Sequence, residues 1–275
     1  MVISVTIVAV IGIIGNVMTI LAVLTNKLIR QNTANFFVIN LAISDLIIAS
    51  IICPDWIVSL IYRRSVFPQI WCTINGSIIT ILSLFSIFNL FVIALSRFVY
   101  VVYNKFYAKM FTRNLSLAMC VFTWILSFAL YFLFNGENLY IEFHKGMLIC
   151  GFPKATGKKV FILGAICIIN MCLVALFYGI IFRFIVKSRM RTGNQVNPNT
   201  SVVKTFFIVF TMYTLTFMPC MIMRSSTTEP EKWTLLWQAC LFVFISNSCM
   251  NPFIYSWRNK IYRQTFHKFI KCQFK

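Results

Sequence analysis

The sequence predicts an all-α fold in which seven membrane-spanning helices form one bundle, followed by a short amphipathic helix at the membrane surface. Three observations carry this. Of the 275 residues, 60% are hydrophobic and 11% charged, with a mean hydropathy of +0.84, which is more apolar surface than one water-soluble core can hide. Those apolar residues gather into seven segments, roughly 2–25, 34–62, 72–103, 115–134, 158–186, 201–223 and 233–256, each long enough to cross a hydrocarbon core of about 30 Å. The runs are also too long and unbroken for barrel strands, and a span in lipid must satisfy its own backbone hydrogen bonds, so each is a helix. No soluble domain or internal repeat stands out. Residues 1–258 are read as one seven-transmembrane domain and 259–275 as a juxtamembrane helix with a short tail.

A formal charge of +19 would suggest nucleic acid in a soluble protein, but every basic residue here lies in or beside a short loop, and no nucleic-acid partner is expected. Distribution gives orientation instead. If segment one runs outward to inward, one side collects Lys27, Arg30, Arg97, Lys105, Lys109, Arg113, Arg183, Lys187, Arg189, Arg191, Lys204 and the tail residues Arg258 to Lys275, with no acid. The other side has Arg63, Arg64, Lys145, Lys154, Lys158, Lys159, Arg224 and Lys232 beside five acids. The Lys/Arg bias therefore predicts an outer N-terminus and a cytoplasmic tail.

Segment one lacks a positive n-region and is followed by its basic residues, so it reads as a first span and not a signal peptide. The outer N-terminal stretch is very short and has no glycosylation sequon, the mark either of an unusually short terminus or of a truncated sequence. Gly15-Asn16 places an amide in hydrocarbon, a sign of helix–helix contact. In segment two, Asp45 ends Asn40-Leu41-Ala42-Ile43-Ser44-Asp45 near mid-span, where a carboxylate costs about 2.5–3.5 kcal/mol on insertion scales. It is either a functional residue or a protonated acid in a structural hydrogen bond. Cys53-Pro54-Asp55-Trp56 then gives a proline kink and an acid near the outer interface, a ligand contact or a solvated helix end.

Segment three opens on Cys72, carries Ser86 and ends in Leu95-Ser96-Arg97-Phe98, where an arginine can snorkel to headgroups or do other work. Its Asn75-Gly76-Ser77 matches a glycosylation sequon but lies inside the span and is discounted. Trp124 in segment four reads as packing. Segment five has Asn170 and Tyr178 and no proline. Segment six reads Tyr213-Thr214-Leu215-Thr216-Phe217-Met218-Pro219, and Pro219 removes a backbone hydrogen bond to make a hinge. Segment seven carries Asn247, Ser248 and Asn251-Pro252-Phe253-Ile254-Tyr255. From Lys260 to Phe274, Tyr262, Phe266, Phe269 and Ile270 share one helical face among basic residues, the pattern of an interfacial helix. Cys272 beside it is a lipidation candidate or a free thiol.

Taken together, Cys72, Ser86 and Arg97, with Asp45, Pro219 and the Asn251-Pro252-x-x-Tyr255 motif, resemble the rhodopsin-like G-protein-coupled receptors over nearly the whole chain. Ser86-Ile87-Phe88-Asn89 and the loop Tyr100 to Thr112 look more like melatonin-type than amine receptors, although Pro252 stands where a melatonin receptor is expected to lack proline. The resemblance implies an extracellular ligand (a small molecule, lipid or peptide), a heterotrimeric G protein at the inner face, and residence in the plasma membrane. It implies an activation switch of Ser96, Arg97, Phe98, Tyr178, Asn251, Pro252 and Tyr255, a segment-six hinge at Phe217 and Pro219, and a sodium site of Asp45, Ser86, Asn247, Ser248 and Asn251. No cofactor is required beyond that possible allosteric sodium ion. Cys72 and Cys150 are the two cysteines that the orientation puts clearly outside, and one disulfide is expected between them.

The chain also departs from the family pattern. Ser96 replaces the acid that normally pairs with the arginine, so Arg97 is expected to be freer than usual; Phe217 replaces a tryptophan; Asn170 replaces a proline, so segment five is expected to be straighter. Ile79 and Ile245 stand where amine receptors place an aspartate and opsins a retinal-binding lysine, which disfavours both ligand classes. Pocket candidates are Ile79, Thr80, Ser83, Phe152, Cys220, Met221, Arg224 and Leu241, a largely apolar set with one cation. Two other classes of function bear on the same residues. A seven-helix transporter would want more carboxylates along its path than Asp45, and a receptor-like binder that does not couple is compatible with Ser96 and Phe217. Enzyme chemistry is disfavoured, since His144 and His267 fall on opposite sides of the membrane.

Overall fold

A computed structural model describes residues 1–135, 141–151, 158–192, 200–226 and 233–271. Its seven candidate spans match the seven apolar segments. Helix α1 is Val2–Thr25; α2, Lys27–Arg30, is a single turn capped by Asn26, whose side chain accepts the Leu28 N–H. The second span is α3 (Asn35–Ile47), a π-turn (Ile48–Ile52) and α4 (Cys53–Tyr62). The third is α5 (Gln69–Val102), at 34 residues about 51 Å long and longer than the bilayer core needs. After α6 (Asn104–Met110) come α7 (Arg113–Asn135), α8 (Lys158–Thr192), α9 (Thr200–Ser226), α10 (Thr234–Arg258) and α11 (Lys260–Ile270).

The bundle is arranged for lipid. Large apolar side chains such as Phe122, Ile125, Leu133, Ile169 and Phe253 face outward, while Asn16, Asn40, Asp45, Asn89 and Asn251 are buried among the helices. Polar groups inside and apolar groups outside is the distribution a hydrocarbon solvent selects. Helix α1 approaches its neighbours at glycines: a Cβ on Gly12 would stand 2.9 Å from the Ala49 Cβ, and one on Gly15 2.9 Å from Pro252. Asn16 closes this contact, donating through Nδ2 to the Ser248 carbonyl at 2.8 Å.

Three details differ from expectation. Pro54 lacks an N–H, and the chain takes up the defect as the π-turn just before it, in which the Cys53 N–H reaches back five residues to the Ile48 carbonyl. The loop before α8 contains an antiparallel hairpin, β1 (Glu142–His144) on β2 (Ile149–Gly151), which apolar periodicity gives no means to see. In α11 the packed face is Tyr262, Thr265 and Phe266; Ile270, expected on that face, is 72% exposed, because one more residue of rotation past Phe269 carries it off the bundle. Helix α8 runs without interruption, as the absence of proline anticipates. Cys272 lies outside the described residues.

Candidate functional site

Three levels of the bundle bring the singled-out residues together. At mid-depth, Asp45 on α3 is 2% exposed and its Oδ2 accepts a 2.7 Å hydrogen bond from Asn251 Nδ2 on α10. The Oδ1 atoms of Asn251 and Asn247 are buried and receive no donor. Ser248 donates to the Ile245 carbonyl at 2.8 Å and keeps its lone pairs, and Ser86 is buried on α5, which packs against α3. Carboxylate, amide and hydroxyl oxygens are the donor types a small hard cation takes, and within this set the recorded bond is the one between Asp45 and Asn251.

Just inward of this lies a polar network that sequence reasoning missed. Asn40 Nδ2 donates to Asn89 Oδ1 at 3.0 Å and to Thr123 Oγ1 at 3.2 Å; Asn89 Nδ2 donates to the Phe37 carbonyl at 3.0 Å. Trp124 Nε1 donates to Asn40 Oδ1 at 2.9 Å while its ring stacks on Phe85 at 4.1 Å. Trp124 therefore does more than pack: it ties α7 to α3 and α5. The signal was present, since asparagines at Asn40 and Asn89 within spans must each find partners there.

At the inner end, Arg97 is 3% exposed, so it does not snorkel to the headgroups. Its guanidinium lies over the Phe206 ring of α9, 4.9 Å from the centroid, and its Nε has no partner. Ser96 is fully buried with an unpartnered hydroxyl. Phe98 stacks on Phe177 at 5.0 Å, turned to α8. Tyr178 and Tyr255 are buried on either side, Tyr178 against Phe207 and Phe210 and Tyr255 against Phe206 and Tyr262. Tyr262 of α11 donates its phenol to Asn35 Oδ1 at 3.3 Å; burial pushes its ionisation well above the usual range, with the Arg97 charge opposing, so the phenol stays a neutral donor. Above them, Phe217 stacks on Tyr213 at 5.4 Å and touches Phe244, two residues before Pro219 within α9.

At the outer end the disulfide Cys72–Cys150 is present, with Cα atoms 5.3 Å apart, and it ties β2 to α5. The hairpin tip folds into the mouth of the bundle. Trp56 Nε1 donates to the Met147 carbonyl at 3.0 Å, Gln238 Nε2 to the Gly146 carbonyl at 3.2 Å, and Gln69 Nε2 to the Ile141 carbonyl. Leu148 turns the corner at φ 56° and, with Ile149, is buried in the apolar cluster of Val5, Trp56, Leu82, Leu241 and Ile245. Gly76 makes room: a Cβ there would meet Ile141 at 2.7 Å. Asn75 is 2% exposed in α5, which removes it as a glycosylation acceptor.

The pocket candidates divide. Ile79 and Leu241 belong to the outer cluster beneath the hairpin, whereas Met221 packs on the main core around Phe217. Thr80 and Ser83 bond back to the Gly76 and Ile79 carbonyls, and the Ser83 carbonyl accepts the Tyr213 hydroxyl at 3.2 Å. Cys220 is a half-buried free thiol. Arg224 lies in α9, its side chain outside the described set, as is all of Phe152.

Comparison with known proteins agrees with this layout. Residues 15–255 match the family model described as 7 transmembrane receptor (rhodopsin family). Among curated proteins, the chain is 25% identical to "Melatonin receptor type 1A" of Phodopus sungorus over 278 residues, which covers 96% of this chain and 78% of that one. It is 26% identical to the type 1A receptor of Gallus gallus, covering 95% and 77% of the two chains, and 25% identical to the type 1C receptor of the same species, covering 95% and 79%.

Proposed function

Because this chain belongs to the rhodopsin family of seven-transmembrane receptors, we propose that it binds an extracellular ligand in the outer part of the bundle and activates a heterotrimeric G protein at its inner face. The observation that carries the coupling half is Arg97: a buried guanidinium with no acid beside it among the described residues, held by the Phe206 ring of α9. Movement of α9 about Pro219 separates these two groups and frees a cation for a partner that enters from inside. Tyr178 and Tyr255, buried next to the same helices, are the side chains that refill the space. The inner face carries the Lys/Arg excess, and the disulfide at the opposite end suits an oxidising exterior; both support an outer N-terminus and a plasma-membrane location.

The ligand is read as neutral or amphipathic, since Ile79 and Leu241 pack in the apolar cluster beneath the hairpin and neither carries charge. The relatives are named melatonin receptors, which makes melatonin the first compound to test. A sodium ion held by Asp45, Ser86, Asn247, Ser248 and Asn251 would supply positive charge to the buried carboxylate and favour the closed bundle. The deciding experiment is ligand-free nucleotide exchange on several G proteins in membranes expressing the chain, against Arg97→Ala at matched surface level. Exchange lost in the variant supports coupling; exchange at empty-membrane level in both, with melatonin and other ligands also silent, favours a binder that does not couple.

A further inference from the structure

Asp55 is an acid without an assigned task. It lies ten residues beyond Asp45 along the second span, about 15 Å higher and therefore near the outer boundary of a hydrocarbon core of ~30 Å. Its side chain is 7% exposed, and Oδ1 accepts a 2.8 Å hydrogen bond from Trp71 Nε1. Among the described residues no basic side chain pairs with it, and Oδ2 is not among the sealed polar atoms. The carboxylate borders a cavity of about 170 Å³ on the outer flank of the bundle, lined by Ser50, Pro54, Asp55, Val58, Phe67 and Trp71 together with Ile51. Two of these are aromatic, their ring centroids 5.8 Å apart and their planes tilted by 57°.

A carboxylate with one oxygen hydrogen-bonded and no cation beside it, next to two tilted rings, is the arrangement that recognises an organic ammonium group, by charge on one side and by ring faces on the other. Ile51, Pro54 and Val58 extend the lining with apolar surface. Among the described residues this lining contains no lysine, arginine or histidine, so a phospholipid headgroup would set its phosphate beside the Asp55 carboxylate with no described cation to balance it. We propose that this groove binds a single-chain amphipathic amine, its ammonium between Asp55, Phe67 and Trp71 and its chain along Pro54 and Val58, reached from the outer leaflet and separate from the space beneath the hairpin.

The test uses the full chain in phosphatidylglycerol nanodiscs with radiolabelled decyltrimethylammonium, below its micellar range, as the probe. Saturable binding is expected, weakened about tenfold by Asp55→Asn and retained within about threefold by Trp71→Phe, which keeps a ring and loses the N–H donor. Should Asp55→Asn fail to fold, Ser50→Trp fills the cavity, leaves the acid in place and should abolish binding. Probe binding unchanged in Asp55→Asn or Ser50→Trp, or displacement as effective by decyl sulfate as by unlabelled probe, overturns the site. Displacement by phosphatidylcholine added to the discs overturns the single-chain occupant. The readout involves no G protein, so it stands or falls apart from the coupling reading.

Discussion

Asn251 and Asp45, 206 residues apart in sequence, meet in a buried 2.7 Å hydrogen bond that joins α10 to α3. Asn251 gives one amide proton to the acid and leaves its own Oδ1 with no donor, so the pair keeps unused acceptor capacity. A structural hydrogen bond and a cation site are therefore compatible readings of the same residues.

Removing the donor isolates the acid. Asn251→Ala should lower stability by about 1.5–3 kcal/mol, the cost of a lost hydrogen bond to a buried charged or polar acid, read as a thermal midpoint in membranes. Asp45→Asn should instead be tolerated for folding and abolish any dependence of that midpoint on sodium against potassium.

Phe206→Ala removes the ring beneath Arg97. The contact is of the kind worth about 0.5–2 kcal/mol. If it holds α5 to α9, basal nucleotide exchange should rise about threefold or more, and Phe206→Trp should restore the low level. Equal exchange in all three would show that the ring is packing only.

Gly15→Val pushes a branched side chain into Pro252. Overpacking of this kind costs about 1–3 kcal/mol, and here it also displaces α10 at the Asn251-Pro252 turn. Reduced surface expression and a lower melting midpoint are expected, whereas Gly164→Val, where a Cβ meets nothing within 4 Å, should leave both unchanged.

Cys72→Ser should destabilise the outer hairpin and lower the melting midpoint, by about 2–4 kcal/mol for a loop closed over 78 residues. Gln238→Leu removes only the hydrogen bond to Gly146 and should cost about 1 kcal/mol. A ligand-binding assay should show faster dissociation in both.

The spans were legible because a bilayer imposes length and apolarity on every one of them, and these are properties of sequence alone. The cysteine pair was legible, and Asp45 and Arg97 stood out as buried groups, for a related reason: a charge within a span, or a thiol expected on the oxidising side, needs a justification that a core leucine does not. What stayed hidden depends on which partner a side chain finds. Trp124 gives no hint that its N–H meets Asn40, and Ile270 misses the packed face by a rotation smaller than sequence can resolve. Met147 and Gly146 take the Trp56 and Gln238 hydrogen bonds through backbone carbonyls, and a carbonyl is the same in every residue.

The hairpin is fastened to three separate helices, at its tip through Trp56 and Gln238 and at its base through Gln69, and hinged at a covalent bond on β2. Were a molecule held beneath Leu148, its way outward among the described residues would pass these fastenings. Its residence time is then a clock set by the chain's own opening rate, nearly independent of how strongly the molecule itself is gripped. Chemically different occupants should depart at similar speeds, and a weak one should linger.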